Sequence, residues 1–326
     1  MTLYLHIGSH KTGTTAVQRF AASNRAALRA RGLWYPSYEE IGRSEHYGHH
    51  HFAHAVADAP RGRFTFDDAE RFADAVRRGG RKGETVLLSA EPIYRHVLKG
   101  PADYWAQREA YIARLKAVIG IDDVVVLATL RRQDGFARSL YQEKIKSRKY
   151  SARFRQFLVE QRSEFDYHRQ LSMFRTAFGA VDLLVYEDMK TQGLVDAFFA
   201  HLGVDVSDLP RTPVENRSLP LELVEYKRLF NATKAGKGKL ANVADRLDQR
   251  AAKGGLLDGV DWISRADMEA FCQSFAADNE MLRRDFASDH PAPLFPSLEA
   301  SPIAELAEYE GMSVHRFAEL TAEILL

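Results

Sequence analysis

The chain has 326 residues, 45% of them hydrophobic, and a formal net charge of only +1. That composition supports a sizeable core and points away from nucleic acid or acidic membranes as partners, so any basic site is local. One cysteine excludes an internal disulfide and fits a reducing, cytoplasmic setting, and no run of 18 apolar residues predicts a membrane span.

The first predicted strand is "LYLHI" (3–7), which the chain enters without the basic segment and cleavage site of a leader. "GSHKTGTT" follows and opens a helical pattern from about Thr14 to Arg31 that stops at Gly32. "SEHYGHHHFAHAVAD" (44–58) carries His46, His49, His50, His51 and His54. His50 and His54 share a face if this stretch is helical. Without a cysteine or an H-E-x-x-H arrangement, a solvated, capping or acceptor-site role is expected ahead of a metal. Three further strands, "TVLLSA" (85–90), "VVVLATL" (124–130) and "VDLLVY" (181–186), are nearly continuously apolar, as parallel strands covered on both faces are. Helical patterns at about 67–78, 103–118, 133–147, 151–162 and 167–178 alternate with them, which predicts a parallel sheet with right-handed crossovers.

After residue 190 the strand signal fades. An amphipathic helix at 194–203 ends at Gly203, a proline-rich loop covers 207–220, and helical patterns follow at about 220–232, 240–252, 264–287, 301–310 and 313–325. Cys272 lies within the pattern at 264–287 as a small core residue. The last begins at Ser313, a helix-capping residue, and sets Val314, Phe317, Leu320 and Ile324 on one face. "ATKAGKGKLAN" (232–242) reads as a solvated loop or as a basic lid. The expectation is one domain, with an α/β core at 1–205 and a helical region at 206–326 packed on it.

The chemistry concentrates in the first loop. Gly8 and Gly13 are five apart, and Thr14 and Thr15 follow. This is almost the phosphate loop G-x-x-x-x-G-K-S/T, but Thr14 occupies the lysine position and the loop's cation is Lys11. A glycine-rich turn between strand and helix presents backbone N–H groups and a helix N-terminus to an anion. Thr12, Thr14 and Thr15 add hydroxyls. An ATP-type loop needs its lysine at the first helical residue to reach the β- and γ-phosphates. With lysine inside the loop, the ligand expected is one whose phosphate carries a different departing group.

"HIGSHKTGTTAVQ" resembles the 5′-phosphosulfate loop of sulfotransferases that use 3′-phosphoadenosine 5′-phosphosulfate (PAPS). In that family K-S/T-G-T-S/T follows the first strand, and Lys11, Thr12, Gly13, Thr14 and Thr15 match it position by position. A second element agrees: "LATLRRQDGFARSLYQEKIK" places Arg131 at a strand end and Ser139 eight residues on, the layout of the family's 3′-phosphate site. Arg131 can grip a phosphate with two N–H donors; Arg132 competes, but its spacing to Ser139 is seven. A third element departs from the pattern. With Pro92 aligned to the family's proline, Ser89 falls where one branch carries its basic glutamate, and Glu91 is two residues late. "VYEDMKTQG" (185–193) is similar to the family's Y-E-D-L/M strand end, with Tyr186, Glu187 and Asp188 read as structural or capping. The likeness covers 1–205, with "NRSLP" (216–220) and the helices beyond it resembling bacterial-type members.

The resemblance implies a three-layer P-loop-like α/β fold with a central parallel sheet, helices on both faces and a mostly helical C-terminal third. It implies PAPS as co-substrate, PAP as product and no metal. Gly8, His10, Lys11, Thr12, Gly13, Thr14, Thr15, Arg131 and Ser139 would hold the nucleotide, and Lys11 and Glu91 would be catalytic. His10, His46, His49, His50, His51 and His54 remain rivals to Glu91 as base. Lys11, Glu91, Arg131 and Glu187 each follow a predicted strand at its C-terminal end, the edge where open parallel sheets bind ligands. The acceptor is a small molecule, carbohydrate or lipid; aromatics at 32–40 and 101–111 either line its pocket or pack the core. The alternatives are a P-loop small-molecule kinase, a non-catalytic PAP- or nucleotide-binding module and, more weakly, a histidine-cluster metal protein.

Overall fold

The computed structural model describes residues 1–59, 63–147, 150–211, 219–233, 237–298 and 306–325. Parts of four predicted features lie outside them: 212–218 of the proline-rich loop, 216–218 of the "NRSLP" segment, 234–236 and 301–305. In chain order the elements are β1 (Thr2–Gly8), α1 (Thr14–Ser23), α2 (Arg25–Ala30), β2 (Leu33–Trp34), α3 (His50–Val56), α4 (Phe66–Gly79), β3 (Thr85–Ser89), α5 (Pro92–Arg95), α6 (Tyr104–Ile119) and β4 (Val124–Leu130). They continue as α7 (Gln133–Ser147), α8 (Phe154–Glu160), α9 (Tyr167–Phe178), β5 (Ala180–Val185), α10 (Tyr186–Gln192) and α11 (Leu194–His201). The remainder is α12 (Leu221–Ala232), α13 (Lys237–Ala252), β6 (Val260–Asp261), α14 (Arg265–Gln273), α15 (Ala276–Phe286), β7 (Ala307–Glu308) and α16 (Val314–Leu325).

The apolar runs form a five-stranded, all-parallel sheet in the order β2-β3-β1-β4-β5. Continuous Leu and Val runs suit the centre of such a sheet because both faces are covered. Leu3, Leu5, Val86, Leu87, Val126 and Leu127 are buried accordingly. From β1 the chain first moves toward β2 and later returns past it to β4. Right-handed crossovers therefore send helices to opposite faces. One face carries α1, α2 and α11, whose Val17, Phe20, Leu28, Phe198 and Phe199 pack on Leu87 and Leu127. On the other, α4 packs on α6, α6 on α9, and α9 on β4. The C-terminal end of β1 is thus the switch point, the place where open parallel sheets bind their ligands.

The described residues fall into two compact units. The first comprises Met1–Arg131, Asp166–Val214 and Asp278–Phe295 and contains the five-stranded sheet. The second comprises Arg132–Phe165, Glu215–Ala277 and Pro296–Leu326. It is mainly helical, with β6 and β7 as a two-stranded parallel ladder. Arg138 links Asp134 and Asp261 there through charge-assisted bonds, around a core that includes Tyr141, Phe154, Phe157 and Phe165.

Several boundaries differ from the pattern in the sequence. The predicted helix at 14–31 breaks at Asn24, whose Nδ2 caps back onto the Phe20 carbonyl at 2.9 Å. The predicted helix at 264–287 breaks after Gln273, where the Ser274 hydroxyl turns onto the Phe271 carbonyl. Within the predicted helix at 301–310, Ala307–Glu308 is a strand, because its backbone pairs with Val260–Asp261. β2 was not foreseen; two residues carry no readable period, and only pairing to Thr85–Val86 makes them a strand. Trp34, Tyr35, Tyr38 and Tyr111 are buried core residues, which removes them from the candidate acceptor pocket.

Candidate active site

The loop after β1 is shaped by backbone conformation. Gly8, Lys11 and Gly13 all adopt left-handed φ, at 83°, 68° and 75°. Gly13 also has no room for a side chain, since a Cβ there would lie 2.4 Å from Leu194 Cδ1. Lys11 is the unusual member, because a side chain in this region costs on the order of 1 kcal/mol and such strain gathers at ligand-binding turns. It places the exposed Lys11 between two glycines that turn the N–H groups of the loop. The Thr12 hydroxyl donates to the Ser9 carbonyl at 2.7 Å and closes the loop from inside. Thr14 Oγ1 donates to Glu91 Oε1. Both hydroxyls, expected to face the ligand, are therefore committed within the protein. Thr15 is half-buried at the start of α1.

Among the described residues, three buried polar atoms in this region have no hydrogen-bond partner: Ser9 Oγ, His10 Nε2 and Gln18 Oε1. Orphaned buried polar atoms are costly and rare unless a ligand or water completes them. Two of these lie on the loop itself, so the residues present fit an anionic group bearing several oxygens. Ser9 and Gln18 had no motif to announce them.

Glu91 follows β3 and is 5% exposed. Its position is fixed by the sheet, since Ala90 N–H donates to the His6 carbonyl. Both of its oxygens are occupied. Oε1 accepts from Thr14, and Oε2 accepts from His50 Nε2 at 2.5 Å and from Gln18 Nε2 at 3.1 Å. Burial raises the carboxyl's pKa, but the hydrogen bonds donated by His50 and by the Thr14 hydroxyl draw it down. The group is held well below the ordinary carboxylate range. Such a carboxylate orients its neighbours and is a poor proton acceptor, so the expectation of Glu91 as base meets a physical objection. His50, which opens α3, donates its Nε2–H to Glu91, and its Nδ1 has no hydrogen-bond partner among the described residues.

Behind these groups, His6 ties the three central strands together at their C-terminal ends. Its Nδ1 lies 2.8 Å from Ser89 Oγ and its Nε2 3.3 Å from Thr129 Oγ1. His49 accepts from the Ser89 N–H at 2.9 Å through Nδ1 and so donates from Nε2 to the Pro36 carbonyl. Burial lowers His6 to about 4 and His49 to about 3. His10 is driven well down by burial and by the charge of Arg95. All three are neutral in the folded protein at pH 7. Below about pH 6.5 the unfolded chain binds protons that these sites refuse, so stability is full above that pH and falls as pH drops toward 4. His6 and His49 together contribute a slope of up to about 3 kcal/mol per pH unit in this window. Glu91 adds nothing there, since a depressed carboxylate loses its contribution only below about pH 4.5. Urea unfolding between pH 4.5 and 7.5 measures the slope. His6→Gln removes one of the three depressed histidines and is expected to flatten it by about a third; an equal slope in wild type and variant contradicts this origin.

Arg131 lies in the first unit just past β4, its guanidinium 5.1 Å from the Tyr186 ring centroid and its carbonyl accepting from Tyr167. Among the described residues it faces no carboxylate. Arg132, the competing choice, belongs to the second unit and is committed there to Asp134 and to the carbonyls of Pro296 and Ser297. Ser139 is half-buried on α7 in the second unit; the helix begins at Gln133 as expected. Of the other histidines, His54 Nδ1 lies 2.7 Å from His96 Nε2, and His46 stacks on Tyr47. His51 packs near Phe64. Asp188 pairs with His290 at 2.8 Å, in keeping with a structural role. Cys272 is half-buried, its thiol pushed up to about 11 by burial and by Asp134, which leaves it unreactive. Among the described residues no group of three or more His, Cys, Asp or Glu is arranged to hold a metal ion, and no helix is long and apolar enough to cross a membrane.

No family model and no curated protein matches this chain. Among solved structures it is similar to a sulfotransferase from Alicyclobacillus acidocaldarius, with 17% identity and a TM-score of 0.45 over 87% of this chain and 95% of that one.

Proposed function

We propose that this protein transfers a sulfuryl group from PAPS to a hydroxyl or amine of a small-molecule, carbohydrate or lipid acceptor. The observation that carries the reading is the place of the loop's cation. Lys11 stands at the crown on a left-handed residue, while position 14, the lysine of an ATP loop, is a threonine turned onto Glu91. A P-loop kinase lacks its γ-phosphate contact in such a loop. Arg131, free of carboxylate partners among the described residues, is the 3′-phosphate ligand in this reading.

The acceptor oxygen or nitrogen forms a bond to sulfur as the bond between sulfur and the bridging oxygen breaks. The electron pair passes to the 5′-phosphate of PAP, where Lys11 and the loop N–H groups meet the growing charge. His50 Nδ1 takes the acceptor proton, and Glu91, holding His50 Nε2, is a positioning residue. In the test, the protein is incubated with PAPS and with ATP·Mg²⁺ across phenolic, saccharide and lipid-headgroup acceptors, and products are read by mass spectrometry. PAP release matched by a sulfonated product is expected. Phosphorylated product from ATP would assign the site to a kinase instead.

A further inference from the structure

The second unit holds a cavity of about 670 Å³, within the range of small-ligand sites, roughly 300–1,000 Å³. Its aromatic wall is built on the short β6–β7 ladder. Trp262 follows β6 and donates its N–H to Asp261 Oδ1 at 2.8 Å, and Asp261 is gripped by Arg138. Tyr309 follows β7 and donates its N–H to the Asp261 carbonyl at 2.7 Å. The two rings meet at 85° with centroids 6.4 Å apart, forming a right-angled corner. Buried Tyr141 and Phe154 lie beneath Trp262, with centroids 5.1 and 6.3 Å from it. Core packing accounts for Tyr141 and Phe154. It does not account for Trp262 and Tyr309, which are both only half-buried and line the cavity.

The charged lining has mixed sign. Arg155 bonds Glu308 at 2.8 Å and Asp267 at 2.7 Å, and Glu225 is held by both arms of Arg228 at 2.7 Å. Arg153 and Glu310 are exposed at the cavity and have no ion-pair partner among the described residues. An organic cation would meet Arg153 and Arg155, and an anion would meet Glu225, Glu308 and Glu310. A neutral ligand with apolar faces and a rim of hydroxyls meets neither objection. Its C–H face lies on an aromatic ring, and its hydroxyls donate to carboxylates and accept from guanidinium.

We infer that the cavity bounded by Trp262, Tyr309, Arg153 and Glu310 is a carbohydrate-binding site. Nothing in this depends on the sulfuryl reading, because the site is tested with no donor present. Saturation-transfer NMR on the full chain, with cellobiose, maltose and lactose as probes and choline as the cationic arm, tests it. At least one disaccharide is expected to bind saturably, with choline silent. Tyr309→Ala is expected to weaken that disaccharide about tenfold, and Glu310→Gln and Arg153→Gln to weaken it severalfold with circular dichroism unchanged. Should Tyr309→Ala fail to fold, the two exposed polar variants carry the test. No saturable saccharide, saturable choline binding, or affinities unaltered by the variants that fold would each overturn the assignment.

Discussion

Replacement of His50 by alanine is expected to lower sulfuryl transfer about 10²–10⁴-fold, the range for loss of a positioned general base. The expectation follows from how the pair is built. His50 Nε2 is held on Glu91, and Nδ1 has no hydrogen-bond partner among the described residues. Glu91, by contrast, accepts from Thr14, His50 and Gln18, and its carboxyl is held below the ordinary range. Glu91→Gln keeps the shape but loses the charge, so it is expected to reduce kcat less than His50→Ala and to leave KM for PAPS nearly unchanged. Single-turnover rates with a saturating acceptor separate the two roles. A Glu91→Gln enzyme that is dead beside a His50→Ala enzyme that is active would return the base to Glu91.

Lys11→Ala is expected to cost about 10²–10³ in rate, as for other preorganised groups that stabilise a leaving oxyanion. Its conformation adds a second, independent readout. Because Lys11 sits at φ 68°, Lys11→Gly removes the same charge but relieves the left-handed strain. It is therefore expected to be as inactive as Lys11→Ala and more stable than wild type by about 1 kcal/mol in urea unfolding. Equal rates in wild type and both variants would remove Lys11 from the chemistry. A less stable glycine variant would show that the side chain supports the fold rather than the ligand.

Much of this was legible in the sequence. The strand runs at 3–7, 85–90, 124–130 and 181–186 became β1, β3, β4 and β5 within about a residue, because continuous apolar runs have few uses other than a covered parallel strand. The loop was legible because its glycines and lysine are local in sequence. What escaped was long-range. β2 exists only through its partner strand, and the breaks at Asn24 and Ser274 depend on side chains folding back on the backbone. The pairing of His50 with Glu91, 41 residues apart, needs α3 to lie beside the end of β3, which no period announces. For the same reason Gln18 was invisible, and the hydroxyls of Thr12 and Thr14 looked outward until Ser9 and Glu91 were in place around them.

Calorimetric titration with PAP, set against ATP·Mg²⁺, tests the central claim most directly, because it asks what the loop and Arg131 hold before any acceptor is known. Saturable PAP binding, weakened about 10–100-fold by Arg131→Ala for a lost charge-assisted contact, with ATP·Mg²⁺ silent, is the predicted result. ATP·Mg²⁺ binding tighter than PAP, or PAP binding indifferent to Arg131, would contradict it.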